Sequence, residues 1–249
     1  TFLVSSDFDT LSDLCSGTRE MAEASSMMIQ CRGVLFDMDG VLVDSTPAVA
    51  RVWTGWALEH GLIADEVIRK AHGRPSMATI MELLPNGDHD AENREMERRE
   101  IEDIADVVAL PGALALLQSI PPSRWTVVTS ATRALAEVRL RVAGLPVPTH
   151  LVTSDDVKRG KPFPDPYLRG AEILRIPPAE CIVAEDAASG VRAGKAAGAR
   201  VLALRTTSTD AELQSAGADW IVDDLSAVSL ESDRQDETLA LLLRQSQKT

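Results

Sequence analysis

Residues 32–45 read RGVLFDMDGVLVDS. Val34, Leu35 and Phe36 form an unbroken apolar run without alternation, the pattern of a strand covered on both faces. The run ends in Asp37, Met38, Asp39 and Gly40. Asp-Gly is a favoured turn pair, because both residues tolerate the backbone angles a tight turn needs. A turn explains Asp39 and Gly40. It does not explain Asp37, a carboxylate at the end of a run that has no reason to be polar.

Working outward, further short apolar runs predict strands over 125–130, 149–153, 181–185, 200–204 and 219–222. Between them, 3.6-residue periodicity predicts helices over 131–143, 166–175, 188–197 and 210–216, each closed near Gly144, Pro177, Gly198 or Gly217. Strand and helix in alternation imply parallel strands joined by crossover helices, an α/β, Rossmann-like parallel-sheet core. Residues 47–108 break the alternation. Helical patterns over 48–60, 65–71, 76–84 and 91–107 predict an inserted all-helical unit, with Met96, Ile101, Ile104 and Val108 as the apolar stripe of its charged last helix. The expected organisation is an extension over 1–27, a core from 28–46 and 109–249, and a helical insert over 47–108. The last segment is read as an edge hairpin, from the alternation of Val228 with Leu230 and of Leu239, Leu241 and Leu243.

Bulk properties narrow the function. The 249 residues are 45% hydrophobic, enough for an independent core, and carry a formal net charge of −13. Such a surface repels polyanions, which argues against nucleic acid as a partner, so any phosphate site has to be locally positive. Three scattered cysteines, Cys15, Cys31 and Cys181, suit neither a disulfide framework nor a zinc site and fit a reduced, cytoplasmic setting. No apolar run reaches the ~18 residues of a membrane span. Residues 1–27 are rich in Ser, Asp, Thr and Glu and lack the basic start of a secretory signal.

In parallel α/β sheets, ligands bind at the carboxyl ends of the strands. Those ends carry Asp37 and Asp39, then Thr129 and Ser130, then Lys161 in KRGKPFPDPY, then Glu185 and Asp186. Each has an ordinary reading alone: turn, helix cap, solvated lysine, helix-dipole partner. Together, four acids, a hydroxyl at a helix start and a lysine suit metal-assisted phosphoryl transfer. Asp37 can attack phosphorus. Asp37, Asp186 and Glu185 can supply oxygens to Mg2+. Ser130 and the Ala131 N–H can hold phosphate oxygens, and Lys161 can offset the charge gathered there. Asp39 can protonate the leaving alcohol and then take a proton from water.

The segments FDMDGVLVDS, VVTSATR, VKRGKPFPDPY and VAEDAASGVRAGKAAG resemble the four motifs of the haloacid dehalogenase superfamily, over about Cys31 to Leu225. Within it the chain is similar to small sugar phosphatases, including 2-deoxyglucose-6-phosphate and glycerol phosphatases. The resemblance implies Asp37 as nucleophile, Asp39 as acid/base, Ser130 and Lys161 at the phosphate, and Mg2+ held by Asp37, the Asp39 carbonyl and Asp186, with Glu185 close or water-linked. It also implies that the helical insert is a mobile cap, with AHGRPSM (71–77) as a substrate loop carrying His72 and Arg74. The competing role for Arg74 is an ion pair with an acid at the cap interface. An aspartate at 39 fits phosphatases and mutases, and not dehalogenases or phosphonoacetaldehyde hydrolases. Ala188 stands where related phosphatases often have proline, outside the ligand set.

The expectation is a cytoplasmic, monomeric, Mg2+-dependent phosphatase of a small phosphorylated sugar or polyol. A hexose-phosphate mutase on the same scaffold is the first alternative. Related mutases carry a histidine at the position of Val49, which has no proton to exchange. A phosphate-responsive binding protein is the second alternative, disfavoured by the intact Asp37, Asp39, Lys161 and Asp186.

Overall fold

A computed structural model of the chain describes residues 26–71, 74–233 and 238–244. In chain order the elements are β1 (Ser26–Cys31), β2 (Gly33–Phe36), β3 (Val43–Asp44), α1 (Thr46–Glu59), α2 (Ala64–Ala71), α3 (Ser76–Leu83), α4 (His89–Glu102), β4 (Val108–Ala109), α5 (Ala113–Ser119), β5 (Trp125–Val127), α6 (Arg133–Val142), α7 (Asp165–Leu174), β6 (Cys181–Glu185), α8 (Ala188–Ala196), β7 (Arg200–Leu204), α9 (Asp210–Ala216), β8 (Trp220–Val222), β9 (Val228–Asp233) and β10 (Leu239–Arg244).

The central sheet runs β5-β2-β6-β7-β8, all parallel. Every residue of β2 and β6 is buried, as their unbroken apolar runs require. Alternate side chains then serve two layers. Val34 and Phe36 join Val127, Leu116 and Leu140 on one face. Leu35 joins Val183, Val201, Tyr167, Val191 and Leu213 on the other. Helices α5 and α6 thus cover one face, and α7, α8 and α9 the other. The predicted hairpin forms as β9 and β10, and β1 pairs antiparallel to β10 to make a second, three-stranded sheet.

Helices α1 to α4 follow one another between β3 and β4. Val52, Trp53, Trp56, Val67, Ile80 and Met96 form their own buried cluster. Helix α4 starts where Asp88 accepts the N–H of Ala91 at 3.0 Å, the usual way of satisfying a free helix-start donor. It stops at Glu102, so the predicted stripe is shortened: Ile101 is only half-buried, and Ile104 and Val108 are exposed. Entry to and exit from the insert run side by side, Val43 against Ala109 and Asp44 against Val108 in a two-stranded ribbon.

Three expectations need correcting, and one helix goes unread in the sequence. The run 149–153 is no strand; Val152 alone bridges to Val128, since the preceding Pro146 and Pro148 deny the chain regular donors. Helix α5 was not foreseen, because seven residues give too short a period to stand out. Helix α6 begins at Arg133, with Thr132 as its cap accepting the Leu135 N–H at 3.4 Å, so Ser130 precedes the helix rather than opening it. Ser26 and Met27 belong to β1, while the rest of the expected extension, residues 1–25, lies outside the described residues.

Candidate active site

The strand order brings the predicted residues together. β2 lies between β5 and β6, so the loop after it, with Asp37 and Asp39, is flanked by Thr129 and Ser130 on one side and Glu185 and Asp186 on the other. These carboxyl ends open into a cavity of about 210 Å³ whose far wall comes from α1, α2, α3 and α4. Gly40 turns the chain away at φ +79°. A Cβ there would stand 2.0 Å from Asp186 Oδ2, so only glycine lets the loop pass that carboxylate.

The floor of the cavity is a chain of charges. Lys161 Nζ lies 2.8 Å from Asp37 Oδ1 and 2.7 Å from Glu185 Oε1. The lysine that reads as a surface residue is 7% exposed. Glu185 is fully buried. Its Oε1 also accepts Tyr167 Oη–H at 2.7 Å, and its Oε2 accepts the N–H groups of Asp186 and Ala187 at 3.0 and 3.1 Å. Those donors occupy a carboxylate's roughly four acceptor positions. Asp186, 2% exposed, accepts the Thr207 hydroxyl at Oδ2.

Burial sets the direction for the two aspartates of the cluster. It raises the Asp37 carboxyl to about 7, although Lys161 pulls the other way. Burial, then the charges of Glu185 and Asp37, push Asp186 well above the usual carboxylate range. Burial also works against the Lys161 ammonium, but the adjoining Asp37 and Glu185 outweigh it and raise its pKa. Asp37, Glu185 and Asp186 each offer an oxygen within 4.8 Å of the others. When ionised, three clustered carboxylates outnumber the one lysine, and the donor set is all oxygen. Both features fit a hard divalent cation such as Mg2+.

Asp39 faces elsewhere. Its Oδ1 accepts Ser45 Oγ–H at 2.6 Å, and both its oxygens lie 3.1 Å from Arg139 Nη1. Ser130 and Ala131 line the cavity, and the Ala131 N–H is donated to Thr129 Oγ1 at 3.1 Å. Arg74 reaches the cavity wall but pairs with Glu82 at 2.9 Å, inside the helical insert rather than across its boundary with the core. His72 lies outside the described residues.

The structure adds residues that the sequence did not single out. Tyr167 and Gly190 shape the Glu185 pocket, and a Cβ on Gly190 would fall 1.6 Å from Glu185 Oε1. Tyr167 ends the KPFPDPY segment, so its place beside Lys161 was open to reading. Arg139, Glu97 and Glu100 had no local signal, being ordinary charged helix residues.

A family model for haloacid dehalogenase-like hydrolases matches residues 31–198. Hexitol phosphatase A of Escherichia coli is 44% identical over 181 residues, 71% of this chain and 84% of that protein. Glycerol-1-phosphate phosphohydrolase 2 of Saccharomyces cerevisiae is 31% identical over 208 residues, 79% of this chain and 83% of the other. Among solved structures, a hydrolase from Pseudomonas syringae superposes with a TM-score of 0.71 at 27% identity, over 78% of this chain and 94% of its own.

Proposed function

The chain belongs to the haloacid dehalogenase-like hydrolases, and on that premise we propose that it is a Mg2+-dependent phosphatase of small sugar or polyol phosphates. Asp37, the main-chain carbonyl of Asp39 and Asp186 would hold the cation, which neutralises phosphoryl charge when bound. Glu185, already saturated with donors, fixes Lys161 and adds at most a water-linked contact. Asp37 Oδ attacks phosphorus as the ester P–O bond breaks, and Asp39 gives its proton to the departing alkoxide. The same Asp39 then takes a proton from the water that attacks the aspartyl phosphate, freeing Asp37 and inorganic phosphate. Lys161 offsets the charge on the transferring group, while Ser130 and Ala131 bind its oxygens; Ala131 must exchange its Thr129 bond to do so.

The observation that carries this reading is the division between the two aspartates. Asp37 sits in the carboxylate–lysine cluster, and Asp39 lines the same cavity with its side chain held by Ser45 and Arg139 instead. The helices of 47–108 supply the far wall and act as a cap, with Arg74 among the residues that would meet substrate hydroxyls. The relatives named for hexitol and glycerol-1-phosphate hydrolysis support a polyhydroxylated leaving group. The mutase alternative lacks support at Val49, a half-buried cavity residue packed on the Trp53 cluster with no group to exchange a proton.

The test is a set of phosphorylated sugars and polyols supplied with Mg2+ and then with chelator. Phosphate release from at least one member, abolished by chelator and restored by Mg2+, is the expected result. Isomerised phosphosugar formed faster than free phosphate from glucose 1-phosphate and a trace of bisphosphate would favour the mutase.

A further inference from the structure

Arg139 sits in the middle of α6 with 4% of its surface exposed. It makes two ion pairs of different kinds. Nη1 lies 3.1 Å from both oxygens of Asp39, a residue of the core loop. Nη2 lies 3.3 Å from Glu100 Oε2, on α4 of the helical insert. Glu100 is itself nearly enclosed, its side chain 11% exposed, and burial raises its carboxyl. Nearby, Thr132 Oγ–H donates to Glu97 Oε1 at 2.5 Å, a second polar contact between α6 and α4.

Burying an arginine is costly unless its donors are engaged, and here Nε has no hydrogen-bond partner among the described residues. An arginine needed only to fasten α4 to α6 would be expected to satisfy itself on that helix. This one instead spends Nη1 on Asp39. Among the described residues the other side-chain donor to Asp39 is Ser45, the residue immediately before α1. Both groups that fix the Asp39 carboxylate are therefore tied to the insert: Ser45 stands at its entry, and Arg139 is held from above by α4.

We propose that Arg139 is a positioning residue that couples docking of α4 on the core to the placement of the Asp39 carboxylate. With α4 seated, Glu100 holds the guanidinium and the guanidinium holds Asp39, so the acid is in place only when the chamber is closed to bulk water. With α4 lifted, Glu100 no longer restrains Arg139, and Ser45 shifts with α1. The proposal rests on the reading of Asp39 as the acid for the leaving group, and it makes closure a condition for proton transfer as well as for substrate enclosure.

The experiment uses leaving groups that differ in their need for a proton. Glycerol 1-phosphate and sorbitol 6-phosphate expel poor alkoxides. p-Nitrophenyl phosphate expels a stable phenolate that needs none. Arg139→Gln, Arg139→Lys and Glu100→Gln are compared with the unaltered protein for kcat and KM, with melting temperature as the folding check. Arg139→Gln is expected to lower kcat on the alkyl esters at least tenfold more than on the aryl ester. Arg139→Lys should recover part of that difference, and Glu100→Gln should show it in the same direction at threefold or more. Equal losses on both ester classes in a folded Arg139→Gln protein would overturn the coupling. If that variant does not fold, equal losses in Glu100→Gln would overturn it. An unaltered protein that releases phosphate from none of these esters, nor from any other member of the sugar and polyol phosphate set, would overturn the phosphatase reading itself, a separate result.

Discussion

Asp37, Lys161 and Glu185 depend on one another in sequence: the buried glutamate fixes the lysine, and the lysine steadies the aspartate. Removing charge at the first should leave the scaffold standing while ending the reaction. Asp37→Asn is expected to reduce phosphate release by more than about a thousandfold with a melting temperature near that of the unaltered protein. Turnover within tenfold in the folded variant would remove Asp37 from the nucleophile's role. The titration of the same residue has a sign that can be checked. Its carboxyl moves from about 4 in an unfolded chain to about 7 in the fold, through burial. The folded state thus keeps a proton that the unfolded state has released. The stabilisation from that proton is complete below about pH 4 and is lost as pH rises through about 7. Metal-free protein should therefore melt lower at pH 8 than at pH 6, and the gain in melting temperature on adding Mg2+ should be larger at pH 8. Calorimetry at the two pH values with and without Mg2+ decides it; an equal gain at both would contradict the burial argument.

At the scale of elements, helix α8 offers a test in its glycines. Gly190 leaves the space that the Glu185 carboxylate fills, so Gly190→Ala must drive a Cβ into that carboxylate and disturb Lys161 and Tyr167 together. A loss of about 1–3 kcal/mol of stability is expected, with most of the activity. Gly55, inside α1, meets nothing within 4 Å, and Gly55→Ala should add about 0.5–1 kcal/mol by the ordinary helix preference. Urea midpoints read both. The elements were legible wherever burial forced a pattern: the continuous runs of β2, β6 and β7 gave the sheet, and the sheet gave the strand-end acids. Legibility stopped where partners came from far along the chain. β1, with only Ile29 and Cys31 buried, owes its place to β10, which arrives some two hundred residues later. Arg139 reads as a solvated helix residue because Asp39 and Glu100 meet it only through the fold. Lys161 shows the same limit from the other side, its role readable from its motif and its burial not.

The whole molecule carries a net charge of −13 and is proposed to take a dianionic substrate. The far field repels what the local lysine and cation attract. Screening weakens the long-range part first, since the Debye length falls from about 30 Å at 0.01 M salt to about 8 Å at 0.15 M. KM for a polyol phosphate should accordingly fall by roughly twofold or more over that range at fixed free Mg2+, with kcat little changed. A KM that rises with salt would show that a local positive field governs capture. The ribbon of β3 and β4 has a consequence of another order. The guest segment between Asp44 and Val108 leaves the host and returns to it at adjacent points, and it has apolar contents of its own. It is spliced in like a cassette. On the proposed reading, the host's chemistry sits on one side of the splice and the chamber's far wall on the other, joined by two backbone crossings. On that reading, appetite for one leaving group or another should be exchangeable between kindred chains by grafting a single uninterrupted block that brings its own partner for Arg139.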